Sequence, residues 1–427
     1  MTNGPHTRTL VFLLGMLLLP SCGREGEGVR VVRFWALGAE GDNVRALIPE
    51  FERRNPGIRV IVQAIPWTAA HEKLLTSYAG NSMPDVFQLG NTWVPEFHIL
   101  GAIEDLRPFL RTSATVREAS YFPGIWSTNV MDSAVLGIPW YVDTRVLFYR
   151  TDLFAAAGYM RPPASWDEWL ELSKRLRAMA DAQGREAYAI LMPTNEWAPP
   201  VILGMQTGSE FLKDQNTRGD FSNPAFRRAF EFYSGFFRQK LAPVGITQVT
   251  NVFQGLSEGF FAMYITGPWN VGEFRRRLPP SMQDRWMTAT LPSPDGLTPG
   301  TSLAGGSSLA MSRSAVHKEA VWKLIEYLSD PPQQLAFYRL TGDLPAHRAA
   351  WEDSSLARDP TMQAFSRQLN YVSPVPKIPE WEQIAMKLQQ YAEVASVGHT
   401  PLPEVLSELD REVDIILDKR RWLVHGR

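Results

Sequence analysis

The chain has 427 residues, 44% of them hydrophobic and 21% charged, enough for a sizeable core and too many for one ordinary core, so two lobes are expected. Its 43 Lys and Arg against 45 Asp and Glu leave a net charge of −2, and beyond short runs such as Arg275-Arg276-Arg277 no basic field for nucleic acid is visible. A single cysteine, Cys22, excludes an internal disulfide and a thiolate metal cluster.

The first segment reads as an export signal. Arg8 supplies the positive end, and residues 10–19 form an apolar run too short to span a bilayer as a helix. Leu19-Pro20-Ser21-Cys22 resembles the bacterial lipobox, in which cleavage before the cysteine is coupled to its acylation. Residues 1–22 are therefore expected to be a lipoprotein signal peptide ending at lipidated Cys22, and residues 23–28, with three glycines, a tether. The expected location is outside the cell's cytoplasm, lipid-anchored on the periplasmic or extracellular face. The alternative is an ordinary secretory signal with an incidental cysteine.

From residue 29 the pattern is periodic. VRVVRFWALG predicts a strand, and Val44, Leu47, Ile48 and Phe51 lie at helical spacing before the Asn55-Pro56-Gly57 breaker. IRVIVQAIP and PDVFQLGN predict two more strands around a helix in WTAAHEKLLTSYAGNSMP, which together imply a parallel, right-handed βαβαβ unit. The carboxyl ends of those strands carry Trp35, Glu40, Trp67, Asn91 and Trp93 to one edge, where such sheets gather ligands. Further along, Ser165-Trp166-Asp167-Glu168 reads as a capping box, with Trp166 and Trp169 as core, and Asn223-Pro224 starts another helix. GFFAMYITGPWN predicts a buried strand ending in a turn that carries Trp269. Residues 291–300 are a Pro/Gly-rich connector before the strand-like SLAGGSSLAMS, and the tail after residue 380 predicts two helices.

Motifs for catalysis are missing. The seven histidines have no metal-ligand spacing, and there is no nucleophile elbow, phosphate loop or dinucleotide fingerprint. Neither a metal nor a cofactor is expected, which favours binding over catalysis. A glycosidase pair of carboxylates stays open, because such a pair is defined by separation in space. The fourteen tryptophans include Trp93, Trp140, Trp197 and Trp269 in loop-like settings beside polar residues. Flat indoles pack on the C–H faces of sugars, and fixed polar groups take the hydroxyls, so this mixture suits a carbohydrate cleft.

Six blocks in order carry a family resemblance: PDVFQLGNTWVPEFHILGAIEDL, GIPWYVDTRVLFYRTDLFAAAG, PASWDEWLELSKRL, GPWN, AGGSSLAMS and TGDLPAHRAA. Over essentially the whole mature chain the sequence resembles the bacterial extracellular solute-binding proteins, family 1, the sugar receptors of ATP-binding-cassette importers that include maltose- and trehalose-type receptors. The resemblance implies a two-lobe α/β periplasmic-binding-protein fold of type II, with hinge crossings and the ligand between the lobes. It implies a first lobe of residues 29–142 plus 302–345 and a second of 143–301 plus 346–427. As ligand contacts it implies Trp35, Glu40, Asn91, Trp93, Trp140, Tyr141, Asp143, Trp269, Gly306, Ser307 and Asp343. Some relatives carry Asp in place of Asn91 and Trp in place of Ser307, which bears on which sugar is bound. For Asp143 an ion pair with Arg145 or Arg150 is the competing role. The implied protein is a monomeric lipoprotein that captures a di- or oligosaccharide and delivers it to a membrane permease. The alternatives are a surface glycoside hydrolase and a same-fold receptor for a polyol or other small solute.

Overall fold

The structure, a computed structural model, describes residue 1 and residues 28–244 and 251–426. Cys22 and nearly all of the expected tether lie outside the described residues. The strands that build the two main sheets and their connections are, in chain order, β1 (Arg30–Leu37), β2 (Ile58–Ile65), β3 (Val86–Gly90), β4 (Ile138–Asp143), β5 (Val146–Arg150), β6 (Tyr188–Leu191), β7 (Phe261–Thr266), β8 (Trp286–Ala289), β9 (Ser302–Leu303), β10 (Gly305–Met311), β11 (Leu344–Pro345) and β12 (Val372–Ser373).

One sheet runs in the order β11-β4-β10-β3-β1-β2 and the other in the order β8-β5-β7-β6. In the first, β1 pairs in parallel with β2 and with β3, as the alternating strand and helix pattern requires. Strand β10 enters antiparallel between β3 and β4. Both faces of the central strands β3, β4 and β10 are covered, which is why these are nearly continuous apolar runs, whereas β2 at the edge alternates buried and exposed residues. Val32, Phe34 and Ala36 pack with Ile138, Trp140 and Leu309 on one side. Phe87, Leu89 and Ala310 pack with Leu74 and Phe97 on the other.

The second sheet shows the period of two plainly. Along β5, Leu147 faces a core with Trp169, Phe230 and Trp381, while Val146 and Phe148 face Phe274, Trp286 and Phe365. The helix over Trp166–Ala182 starts as its capping box predicts: the Ser165 hydroxyl accepts from the Glu168 amide at 3.1 Å. Trp166 and Trp169 are both buried.

Three local expectations change. The single helix expected before Asn55 is broken into Gly38–Asn43, a 3₁₀ turn at Val44–Ala46, and Ile48–Arg54. Pro49 stands in the first turn of the last piece, where its missing N–H is tolerated, and it would break a helix running through it. Trp269 opens a helix, Trp269–Arg277, and does not sit on a free turn. The tail after residue 380 forms three helices, Trp381–Val397, Leu402–Ile416 and Asp418–His425. No helix among the described residues is long and apolar enough to cross a membrane.

The chain passes between the two sheets at two places, and these crossings are hydrogen-bonded to each other and to β12. Strand β4 ends at Asp143 and β5 begins at Val146, so Thr144 and Arg145 are the first link. The Ser302 hydroxyl accepts from the Arg145 amide at 3.2 Å and donates to the Arg145 carbonyl at 2.9 Å. Strand β9 pairs in parallel with β12, and the Ala304 amide donates to the Ser373 carbonyl at 2.9 Å.

Candidate functional site

Beside these crossings, between the two sheets, lies a cleft of about 300 Å³. The first lobe contributes the segment after β3, with Gly90, Asn91, Thr92 and Trp93, together with Trp67 and Thr128. The crossings contribute Asp143, Arg145 and Leu303–Gly306. The second lobe contributes Trp197 and the 374–382 stretch, with Val375, Lys377 and Glu382.

The indoles are held at defined angles. Trp93 lies edge-on to Trp67 at 5.9 Å between ring centres, and His71 packs on Trp93 at 4.9 Å. His71 Nε2 is 2.7 Å from Glu96 Oε2, and this contact raises the imidazole above its ordinary value against the effect of burial. On the opposite side Trp197 is set edge-on to buried Trp381.

Asn91 is buried on the cleft wall. Its Oδ1 accepts from the Ser308 hydroxyl at 3.1 Å, while its Nδ2 has no partner among the described residues. A buried amide donor left unmatched is costly to the folded protein. Asp143 takes a guanidinium hydrogen bond from Arg145 Nη1 at 3.2 Å, and Arg145 Nη2 lies 3.7 Å from Glu196. Burial pushes the Asp143 carboxyl up, and the Arg145 charge opposes it. The competing role for Asp143 is thus present, and it coexists with a place on the cleft wall.

Close approach of the backbone explains the glycine pair. Gly306 has φ +118°, and a Cβ there would lie 2.3 Å from the Tyr141 carbonyl oxygen. β10 can follow β4 into the hinge only without a side chain at this position.

Of the residues implied by resemblance, Asn91, Trp93, Asp143 and Gly306 line the cleft. Glu40, Tyr141 and Ser307 stand behind it in one network. Tyr141 OH donates to Glu40 Oε1 at 3.0 Å and accepts from Gln88 Nε2 at 3.0 Å and Ser307 Oγ at 3.1 Å. Glu40 also accepts from Trp67 Nε1 at 3.2 Å, so the network reaches the cleft through that indole. Trp35 is partly buried under the Lys73 ammonium, 5.0 Å from its ring centre. Asp343 is half-buried near the same carboxylates; burial first, then the charges of Glu40 and Asp143, raise its carboxyl to about 7.

Trp140 is not on the cleft. It is 1% exposed and stacks on Phe337 at 4.3 Å in the first-lobe core. Strand β4 carries a bulge here, with Tyr141 opposite Ser307 and Pro139 opposite Ser308, which leaves Trp140 as the extra residue, and its indole packs beside Tyr141 as well as on Phe337. Trp269 is 44% exposed, and the Arg145 guanidinium lies 4.4 Å from its ring centre, so one indole face is already covered. The 374–382 stretch was not anticipated. Its signal is weak: VSPVPKIPEW carries a proline-rich rhythm and no motif.

Two α/β lobes joined by hydrogen-bonded crossings, with a cleft lined by indoles and polar groups between them, define a periplasmic-binding-protein fold of type II. The family described as bacterial extracellular solute-binding protein matches over residues 35–335, and the chain belongs to it. The sugar-binding protein MalE from Xanthomonas citri superposes with a TM-score of 0.90 and 45% identity, covering 93% of this chain and 100% of that one. The diacetylchitobiose binding protein DasA of Streptomyces coelicolor is 23% identical over 368 residues, 85% of this chain and 83% of that protein. An uncharacterized lipoprotein in the oleD 5′ region of Streptomyces antibioticus is 25% identical over 366 residues, 82% of this chain and 78% of that protein. These relatives bear on the hydrolase alternative: the chain is a binding protein and not an enzyme.

Proposed function

We propose that this protein is the lipid-anchored receptor of an ATP-binding-cassette importer, which captures a carbohydrate between its lobes and delivers it to a membrane permease. The observation that carries the reading is the cleft: Trp67, Trp93 and Trp197 line it beside Asn91, Thr92 and the Asp143 carboxylate. Stacking on sugar C–H faces and hydrogen bonding to hydroxyls need this pairing of surfaces. Asp143 accepts from hydroxyl protons while Arg145 holds it in place. The binding of sugars by MalE and of diacetylchitobiose by DasA supports the carbohydrate class. The lipoprotein relative supports the anchor at Cys22.

A thermal-shift screen against mono-, di- and oligosaccharides tests the reading, since a ligand of the folded state adds about 2.7 kcal/mol at a hundredfold excess over its Kd. The expected result is a raised Tm with a subset of sugars, each recovered intact. No shift with any sugar, or cleavage of one, overturns it. For the anchor, Cys22→Ala is expected to move the protein from the membrane fraction to the soluble fraction with its Tm unchanged.

A further inference from the structure

The stretch at 374–382 reaches the first lobe at two points. Lys377 Nζ donates to the carbonyls of Ser127, at 3.1 Å, and Val130, at 2.8 Å, and Glu382 accepts from the Thr92 hydroxyl. Trp381 is buried in the second-lobe core, so Glu382 beside it stands on a fixed support. Thr92 precedes Trp93, which lines the cleft and packs on His71 at 4.9 Å between ring centres. Two carboxylates therefore act on His71, one from each lobe. Glu96, of the first lobe, is hydrogen-bonded to Nε2 at 2.7 Å, and Glu382, of the second, adds its charge at longer range. The other ionisable groups on the helices concerned lie elsewhere: Lys73 is over Trp35, His98 faces Asp132 at 3.4 Å, Lys387 pairs with Glu412 at 3.0 Å, and Glu72 is exposed.

Resting on the carbohydrate reading above, we propose that His71 is a positioning residue for sugar capture: as a cation it seats the Trp93 indole and draws Glu382 of the second lobe toward the first, so that closing the lobes on a sugar is linked to the binding of a proton. A cation this close to the centre of an indole is attracted by the ring's electrons, so the charge adds to the packing of His71 on Trp93. Glu96 stays beside His71 however the lobes are arranged, because both belong to the first. Glu382 is near only when the lobes meet. The imidazole therefore holds its proton more tightly in the closed arrangement than in an opened one. The resulting advantage of closing is complete below the opened-state value and is lost as pH rises through the closed-state value, which the Glu96 contact, with Glu382 behind it, raises above 6.5. Beyond that range a neutral His71 leaves Glu96 and Glu382 as like charges with no cation beside them, and their repulsion acts in the same direction.

The test is calorimetry on the mature chain, on His71→Gln and on Glu382→Gln from about pH 5.5 to 9, with maltose, cellobiose, di-N-acetylchitobiose and any other sugar that raises the parent's Tm. Gln at 71 keeps a hydrogen-bond donor for Glu96 and carries no charge. Asp343, whose carboxyl is raised to about 7, and Asp143 tilt all three profiles alike, so the affinity of the parent relative to each variant is the quantity read. Each ratio is expected to fall about threefold between pH 6 and 9, within the range of one partly exposed ion pair. A constant ratio for His71→Gln overturns the proton link and leaves the carbohydrate reading standing. A ratio that falls for His71→Gln and stays constant for Glu382→Gln overturns the reach across the lobes. Titration of the His71 ring followed by NMR in the parent reads the same link without a substitution: its value is expected to be higher in the sugar-saturated protein than in the free one, and equal values overturn the proposal. A flat thermal-shift screen together with no heat of binding from any sugar overturns the carbohydrate reading itself and the proposal with it.

Discussion

Replacing Asp343 by Asn is expected to stabilise the protein at alkaline pH and to leave it unchanged in acid. The Asp343 carboxyl is half-buried beside Glu40 and Asp143, and its value rises from the ordinary 3.8 to about 7. In the unfolded chain it ionises near 4, so between about pH 4 and 7 the folded state holds a proton that the unfolded state has lost. Stability from this group therefore falls as pH rises through that window and levels off above about 7. Each pH unit of the window weights the balance by about 1.4 kcal/mol, which sets an upper limit of about 4 kcal/mol, and screening at the open side of the residue brings the expectation to about 2–4 kcal/mol. Asn keeps the shape and carries no charge. The assay is urea unfolding of parent and Asp343→Asn, followed by tryptophan fluorescence at half-unit steps from pH 4 to 8.5. The difference between the two cancels titrations they share, such as those of Glu50 and Glu168, whose arginine partners hold both carboxyls near 2. A constant difference across the whole range would refute the reasoning, because it would mean that Asp343 ionises in the folded protein as it does in the unfolded one.

Three further outcomes follow from the same geometry. Gly306→Ala is expected to lose several kcal/mol or to fail to fold, because its Cβ meets backbone at 2.3 Å, whereas at Gly305 the nearest atom is the movable Asp143 carboxylate; melting temperatures of the two variants decide this. Trp269→Ala is expected to lose less than about 1.5 kcal/mol of stability, well under the roughly 3–5 kcal/mol of a buried tryptophan, while sugar affinity falls severalfold as Arg145 loses its aromatic support; Tm and calorimetry on one sample measure both. Asp143→Ala is expected to weaken sugar binding by about one to two orders of magnitude, and Asp143→Asn by less, since hydrogen bonds to a charged acceptor contribute roughly 1.5–3 kcal/mol; parental affinity in the Ala variant would remove Asp143 from the ligand contacts.

The class of fold was legible because it rests on local, repeated signals. β1, β2 and β3 are apolar runs closed by breakers, and their alternation with helices leaves a parallel sheet as the economical solution. Asn91 and Trp93 were legible for the same reason, since they follow the third of those strands. Reading IPWYVD as one block put Trp140 on the cleft with Tyr141 and Asp143; the bulge at Trp140 depends on how β4 meets β10 and has no signature within that block. Trp269 was placed on a turn because Gly267-Pro268 reads as one, although proline serves equally well as the entry to a helix. Lys377 and Glu382 were out of reach. Their side chains meet Ser127, Val130 and Thr92 some 250 to 290 positions earlier, and no periodicity encodes that encounter.

The way β11 and β10 close the first sheet has a consequence for biosynthesis. Strand β4 is flanked by residues 305–309 on one side and 344–345 on the other, so the lobe that begins at residue 30 is unfinished until about four-fifths of the polypeptide has been made. A nascent chain stalled before that point lacks the two strands that would cover β4. Contacts of such long sequence separation form slowly. The amino-terminal half of the polypeptide therefore cannot lock into its final shape until these late strands have been made.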